Sequence, residues 1–168
     1  VRALFELEVP EIADGVIPMM YDPDRYAELL KPSLERGFAK AGHGKGLGSF
    51  DVMTSCTIIV SDDVEKAMQP VKANLAQYIG GMGAKEVNFH ASLFARMGYG
   101  DEVEEIQDLF LAGRKDEAIK RVPLALVEDV AMVGPLDKVR EELDEKWRKT
   151  AMTTLLVNGT PDHLRLVA

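Results

Sequence analysis

The sequence predicts an α/β fold with parallel strands. Short apolar runs of strand length recur at Val16–Met20, Phe50–Val60 and Met152–Val157, the second rich in β-branched residues. Long stretches of helical periodicity separate them. Crossovers of that length join parallel strands, because antiparallel neighbours need only a tight turn.

Taken in order, "EIADG" reads as a helical tail broken at Asp14-Gly15, and Val16–Met20 as a buried strand. Asp22 can cap the next helix and Pro23 suits its first position. Tyr26, Leu29, Leu30 and Leu34 mark that helix's apolar stripe, which Gly37 or Gly42 ends. The "HGKGLGSF" stretch is a flexible connection into the clearest strand, Phe50–Val60. Helical period returns at once, with Ser61 or Asp62 as cap and Val64, Ala67, Met68, Val71 and Leu75 on one face. Pro70 inside it predicts a bend. Helices over Ala84–Met97 and Asp101–Ala112 follow, then "RKDEAIKRVP" and "LALVEDVAMVG". Gly134-Pro135 punctuates before a charged helix with Val139, Leu143 and Trp147 inward. Met152–Val157 is the last strand, and "NGTPDHLRLV" turns into a short helix.

The chain has 168 residues, 46% of them hydrophobic, which suits one domain with a substantial core. No run approaches the ~18 apolar residues of a membrane span, and the first residues lack a signal peptide's apolar stretch. The expected location is cytoplasmic. A net charge of −8 argues against nucleic acid as partner. With Cys56 as the only cysteine, an intrachain disulfide and a cysteine-rich zinc site are excluded.

The motifs that suggest chemistry have plainer readings. "GHGKGLGS", Gly42 to Ser49, resembles a phosphate cradle in composition, but such a loop must follow a strand and open a helix. Here the order is helix into strand, so a mobile loop is the expectation. His43, His90 and His163 are far apart and lack ligand spacing, so no metal site is expected. His90 reads as a satisfied structural histidine and His163 as exposed. Asp14, Asp22 and Asp24 cluster around the first strand, which could suggest a carboxylate pair, but two of them have ordinary turn and capping roles. Cys56 reads as a small core residue.

In one order, "EIADGVIPMMYDPDRY", the strand ending in "SDD", "YIGGMGAKEVNF", "RMGYGDEVEEIQDLFLAGRKDEA", "VEDVAMVGP" and "TTLLV" span nearly the whole chain. This ordered set resembles the C-terminal half of luciferase-like oxidoreductases, particularly the coenzyme F420-dependent class. The resemblance implies a (β/α)8 TIM barrel about twice this length, with residues 1–168 as a single partial domain. Val16–Met20 would be strand six, Phe50–Val60 strand seven and Met152–Val157 strand eight. A helical insertion of about residues 73–134 would separate the last two strands, and strands one to five would lie upstream.

The barrel rule puts active-site residues after strand C-termini. By the resemblance, the cofactor-binding or pocket-wall residues are then Pro18, Met19, Met20 and Tyr21; Ser61 and Asp62; and Asn158, Gly159 and Thr160. The family's catalytic residues belong to the N-terminal half. The implied cofactor is F420, with FMN as alternative, and the implied reaction is hydride transfer with a small-molecule substrate in a homo-oligomer. A second reading is a non-catalytic half-barrel that binds a partner or oligomerises. "YIGGMG" reads as a helix end and tight reversal, a hinge before a binding wall. Its insertion, Ala73 to Val122, is expected to be mobile because glycines divide it and charged runs leave few apolar anchors.

Overall fold

The computed structural model describes residues 9–167. They form two compact units: Ser61–Ala131, and the residues on either side of it. No described helix is long and apolar enough to cross a membrane.

The flanking unit holds the sheet. Strand β1 is Gly15–Val16, followed by helices α1 (Tyr26–Leu29) and α2 (Lys31–Ala41). β2 is Asp51–Val60, β3 Ala131–Gly134 and β4 Thr154–Asn158, with β2 pairing all three others. Its pairings with β1 and β4 are parallel, as the long crossovers require. The first is short, Gly15↔Asp51 and Val16↔Val52, and the second runs from Met53↔Thr154 to Thr57↔Asn158. The Asp51 amide donates to Asp14, while the Val52 carbonyl accepts from Thr153. Successive backbone groups point to opposite strand edges, so β1 and β4 flank β2 on opposite sides.

Two of the differences from the sequence reading concern strands. The expected strand Val16–Met20 stops at Val16, since Pro18 has no amide to donate and Met20 takes a left-handed φ of 50°. The "LALVEDVAMVG" stretch, read as helical, divides into a helix, Leu124–Val130, and strand β3. All four residues of β3 are buried, so its apolar pattern shows neither helical nor alternating period.

One face of β2 carries Val52, Cys56 and Ile58 into a core with Leu34, Phe50, Met132, Val139 and Trp147. Gly42, with φ 67°, ends α2; Gly37 lies buried within it. Asp22 does not cap α1, nor does Pro23 open it, since that helix starts at Tyr26 after Arg25. The Asp22 carboxylate instead holds the preceding turn, accepting from the amides of Asp24 (2.9 Å) and Arg25 (3.4 Å) and pairing with the Arg25 guanidinium. Asp24 pairs with Lys146 at 2.8 Å. The glycine-rich loop is anchored rather than free: Lys45 Nζ donates to the Ala13 carbonyl (2.7 Å) and lies 3.4 Å from the Asp14 carboxylate. That places its ammonium at the start of β1, occupied by backbone and not available to a phosphate.

The helical unit runs through α3 (Val64–Gly81), α4 (Phe89–Phe94), α5 (Gly100–Leu111), α6 (Lys115–Arg121) and α7 (Leu124–Val130). Asp63, rather than Ser61 or Asp62, caps α3, its carboxylate accepting from the Lys66 amide at 3.2 Å. α3 runs uninterrupted through Pro70. Met68, Leu75, Ile79, Phe94, Met97, Ile106 and Leu126 are buried. The expectation of few apolar anchors is therefore corrected: this unit has its own core.

The "YIGGMG" glycines divide their labour. Gly80 and Gly81 belong to the last turn of α3, and a Cβ at Gly80 would stand 2.3 Å from Phe110 Cβ on α5. Their smallness lets two helices cross closely. The reversal falls instead to Gly83, whose φ of 143° disfavours any side chain. Asn88 then closes the turn, donating to the Ile79 carbonyl at 2.6 Å while its Oδ1 caps α4 through the Ala91 amide at 3.0 Å.

Candidate functional site

A strand alternates its side chains between two faces, so burying Val52, Thr54, Cys56 and Ile58 turns Met53, Ser55, Thr57 and Ile59 the other way. These four are half-buried. On β4, Leu155 and Val157 pack against the core, leaving Thr154, Leu156 and Asn158 exposed. The register Met53↔Thr154, Ser55↔Leu156 and Thr57↔Asn158 sets the two exposed sets side by side. The result is an open sheet face with mixed apolar and hydroxyl or amide character. Leu156 is 42% exposed, and Ile17, just past β1, is 51% exposed.

The residues expected at strand ends fall into different environments. Asn158, Gly159 and Thr160 are all exposed at the C-terminal end of β4. A Cβ at Gly159 would stand 3.0 Å from the Ile58 carbonyl oxygen, so this turn lies tightly against the end of β2. Thr160 precedes the C-terminal helix (Pro161–Val167), its hydroxyl accepting from the His163 amide at 3.3 Å and its carbonyl from the Leu164 amide at 3.1 Å. His163, expected to be exposed, is half-buried. Ser61 and Asp62 follow β2 directly and lead into the helical unit, where the Ser61 hydroxyl accepts from the Asp63 amide at 3.1 Å.

Beyond β1 the chain leaves the sheet. Met19 is exposed and Met20 half-buried, while Pro18 and Tyr21 are buried. Tyr21 is a core residue: its ring lies 5.9 Å from Trp147 and 6.1 Å from Tyr26, and burial pushes its phenol pKa upward. The pairing Val16↔Val52 lies five residues down β2 from Thr57↔Asn158, about 17 Å at ~3.3 Å per residue. The strand ends of β1 and β4 therefore do not form one level rim.

Ser55, Thr57, Thr154 and Leu156 were missed by a rule that looks only past strand ends. Of the two faces of "DVMTSCTIIV", the one with Val52, Thr54, Cys56 and Ile58 is the more apolar and is the one buried. The register with β4 and the packing of Trp147 agree with that alternation. The other polar groups are structural. Burial pushes the Cys56 thiol up to about 12, making it a poor nucleophile near neutrality. His90 is buried against Tyr78 at 4.6 Å, its Nδ1 without a hydrogen-bond partner among the described residues, and desolvation lowers its pKa. It is structural, as expected, but not fully satisfied.

A family profile described as luciferase-like monooxygenase matches residues 9–154. A Mycobacterium tuberculosis protein described as a coenzyme F420-dependent oxidoreductase is 38% identical over 159 residues, covering 94% of this chain and 45% of that protein. Among solved structures, the F420-dependent tetrahydromethanopterin reductase of Methanopyrus kandleri superposes with a TM-score of 0.66 at 24% identity, covering 95% of this chain and 44% of its own. An F420-dependent secondary alcohol dehydrogenase with an F420–acetone adduct gives a TM-score of 0.59 at 13% identity, covering 94% and 41%. At these identities the two structures carry the fold alone. The chain spans less than half the length of each of these relatives.

Proposed function

The chain belongs to the luciferase-like monooxygenase family, and from that premise we propose that it is the C-terminal portion of a coenzyme F420-dependent oxidoreductase. The enzyme moves hydride between the deazaflavin and a small organic substrate. β1, β2 and β4 are strands six, seven and eight of a (β/α)8 barrel, and the helical unit is an insertion before strand eight. The observation that carries this reading is the sheet itself. Three parallel strands lie in chain order, one face packed under helices and the other partly open, half-buried on β2 and exposed on β4. That is the arrangement of a barrel arc whose inner face awaits the remaining strands.

The bare face suits the cofactor's ring. A deazaflavin has an apolar edge and a hydrogen-bonding pyrimidine edge. Met53, Ile59 and Leu156 supply apolar surface beside the hydroxyls of Ser55 and Thr57 and the amide of Asn158. When bound, F420 supplies the carbon that gives or accepts hydride. The chain's own residues would orient the ring and exclude water: Asn158 and Thr57 are the groups that would hold a polar edge, and Leu156 and Ile59 those that would cover an apolar part. The side chains proposed to meet the ring, Met53, Ser55, Thr57, Ile59, Leu156 and Asn158, include no carboxyl, imidazole or thiol, so the acid and base are expected from the upstream strands.

Titration with F420 and with FMN, followed by fluorescence, tests the proposal. Binding of F420 in preference to FMN by the full-length protein is the expected result, and failure to bind F420 removes the cofactor assignment. The bare face, with Ile17 and Leu156 exposed, also favours a second reading as a non-catalytic module that oligomerises or binds a partner. Light scattering separates the two: a monomer across a wide concentration range counts against the module.

A further inference from the structure

We propose that Asn158-Gly159 is a site of spontaneous deamidation, placing a new carboxylate at the end of the open sheet face. Asn158 is the last residue of β4, and its side chain is exposed. Among the described residues, nothing hydrogen-bonds its side-chain amide. Gly159 lies one residue past the last paired position, Thr57↔Asn158, and has no Cβ to shield its own nitrogen.

The reaction needs nothing but water. The Gly159 amide nitrogen loses its proton and attacks Asn158 Cγ, forming a C–N bond and a cyclic imide. The side-chain nitrogen leaves as ammonia, taking up a proton. Water then opens the imide at Cγ to give aspartate, or at the backbone carbonyl to give isoaspartate. Nothing is oxidised or reduced.

The chain's other two asparagines are protected in ways Asn158 is not. Asn74 lies inside α3 before Leu75, where the following amide is fixed in the helix and the neighbour is bulky. Asn88 is 2% exposed, precedes Phe89, and is held at both ends of its amide, by Ile79 at 2.6 Å and Ala91 at 3.0 Å. Asn158 alone combines exposure, an unheld amide and a following glycine.

The two products differ in consequence. Aspartate adds a charge beside Thr57, its register partner. Isoaspartate lengthens the main chain by one carbon where Gly159 lies against the Ile58 carbonyl, forcing the turn away from β2. Any loss of cofactor affinity rests on the functional reading above, whereas the chemistry at Asn158 does not.

Peptide mapping by mass spectrometry on the full chain, aged in mildly alkaline buffer, provides the test, with enzymatic methylation of isoaspartate as second readout. The proposal expects amide-to-acid conversion at position 158 well before positions 74 and 88, with an isoaspartyl signal in the same peptide. Conversion at 158 no faster than at 74 overturns it. Asn158→Gln, whose longer side chain closes a ring far more slowly, should abolish both signals in that peptide. Persistence of the isoaspartyl signal there would also overturn the assignment.

Discussion

Replacing Gly80 with alanine should destabilise the helical unit, although alanine is the better helix former. The new Cβ would stand 2.3 Å from Phe110 Cβ and 2.5 Å from its Cγ. Carbon atoms prefer about 3.5–4.0 Å, so the two helices must separate by more than ~1 Å. A Cβ is fixed to the backbone and cannot rotate away. Overpacking of this kind costs up to about 3 kcal/mol. The helix-propensity gain returns about 1 kcal/mol. A net loss of roughly 2 kcal/mol is expected. Gly100→Ala is the reference, since Gly100 opens α5 at φ −57° with nothing within 4 Å of a built Cβ. It should be neutral or stabilising by up to ~1 kcal/mol. Phe110→Ala should not rescue Gly80→Ala, because the nearest clashing atom is Cβ itself; Phe110→Gly should. Urea unfolding followed by far-UV circular dichroism reads all of these. If Gly80→Ala stabilised as much as Gly100→Ala, the close helix crossing would be refuted.

Two titrations and one surface change extend this. Cys56 should resist thiol reagents in the native state and react on unfolding. Its folded pKa is raised from 9.0 to about 12, so its contribution to stability is full below pH 9 and is lost as pH rises toward 12, measurable by denaturation across that range. His90 titrates the other way. Burial lowers its folded pKa below 6.5, so the unfolded state takes up the proton first and stability falls as pH drops below 6.5. His90→Gln should flatten that acid slope, and an unchanged slope would place its cause elsewhere. Val157→Glu, half-buried on the packed face of β4, should cost about 1–3 kcal/mol by partly desolvating an unpaired charge. Leu156→Glu, on the open face, should cost this chain little, and equal losses in denaturation would reverse the two faces.

How far the residues announced this arrangement depends on whether local chemistry or distant packing decides each element. Phe50–Val60 was legible because its branched residues fit a strand, and Gly42 because a helix end acts locally, whereas Asp22-Pro23 was read as the helix start that lies instead at Tyr26. β3 was not, since four buried residues bounded by a helix and Gly134-Pro135 carry no period. Gly80 and Gly81 do end α3, as read, but their second role was hidden because Phe110, which approaches them, lies thirty residues away. The candidate site divided the same way. Asn158, Gly159 and Thr160 lie exposed past β4, where the strand-end rule places them, whereas Tyr21 is buried because Trp147, remote in sequence, draws its ring into the core. Ser55 and Thr57 needed the β2–β4 register to be seen at all.

The claim that the bare face of β2 and β4 walls an F420 site is tested most directly by titrating F420 into the full-length protein and its Leu156→Arg variant, with folding monitored by circular dichroism. Leu156 is 42% exposed in this chain, so the substitution does not disturb the packed core described here. The account predicts a folded variant whose Kd for F420 rises at least tenfold, about 1.4 kcal/mol. A folded variant that binds F420 as tightly as the parent would contradict it.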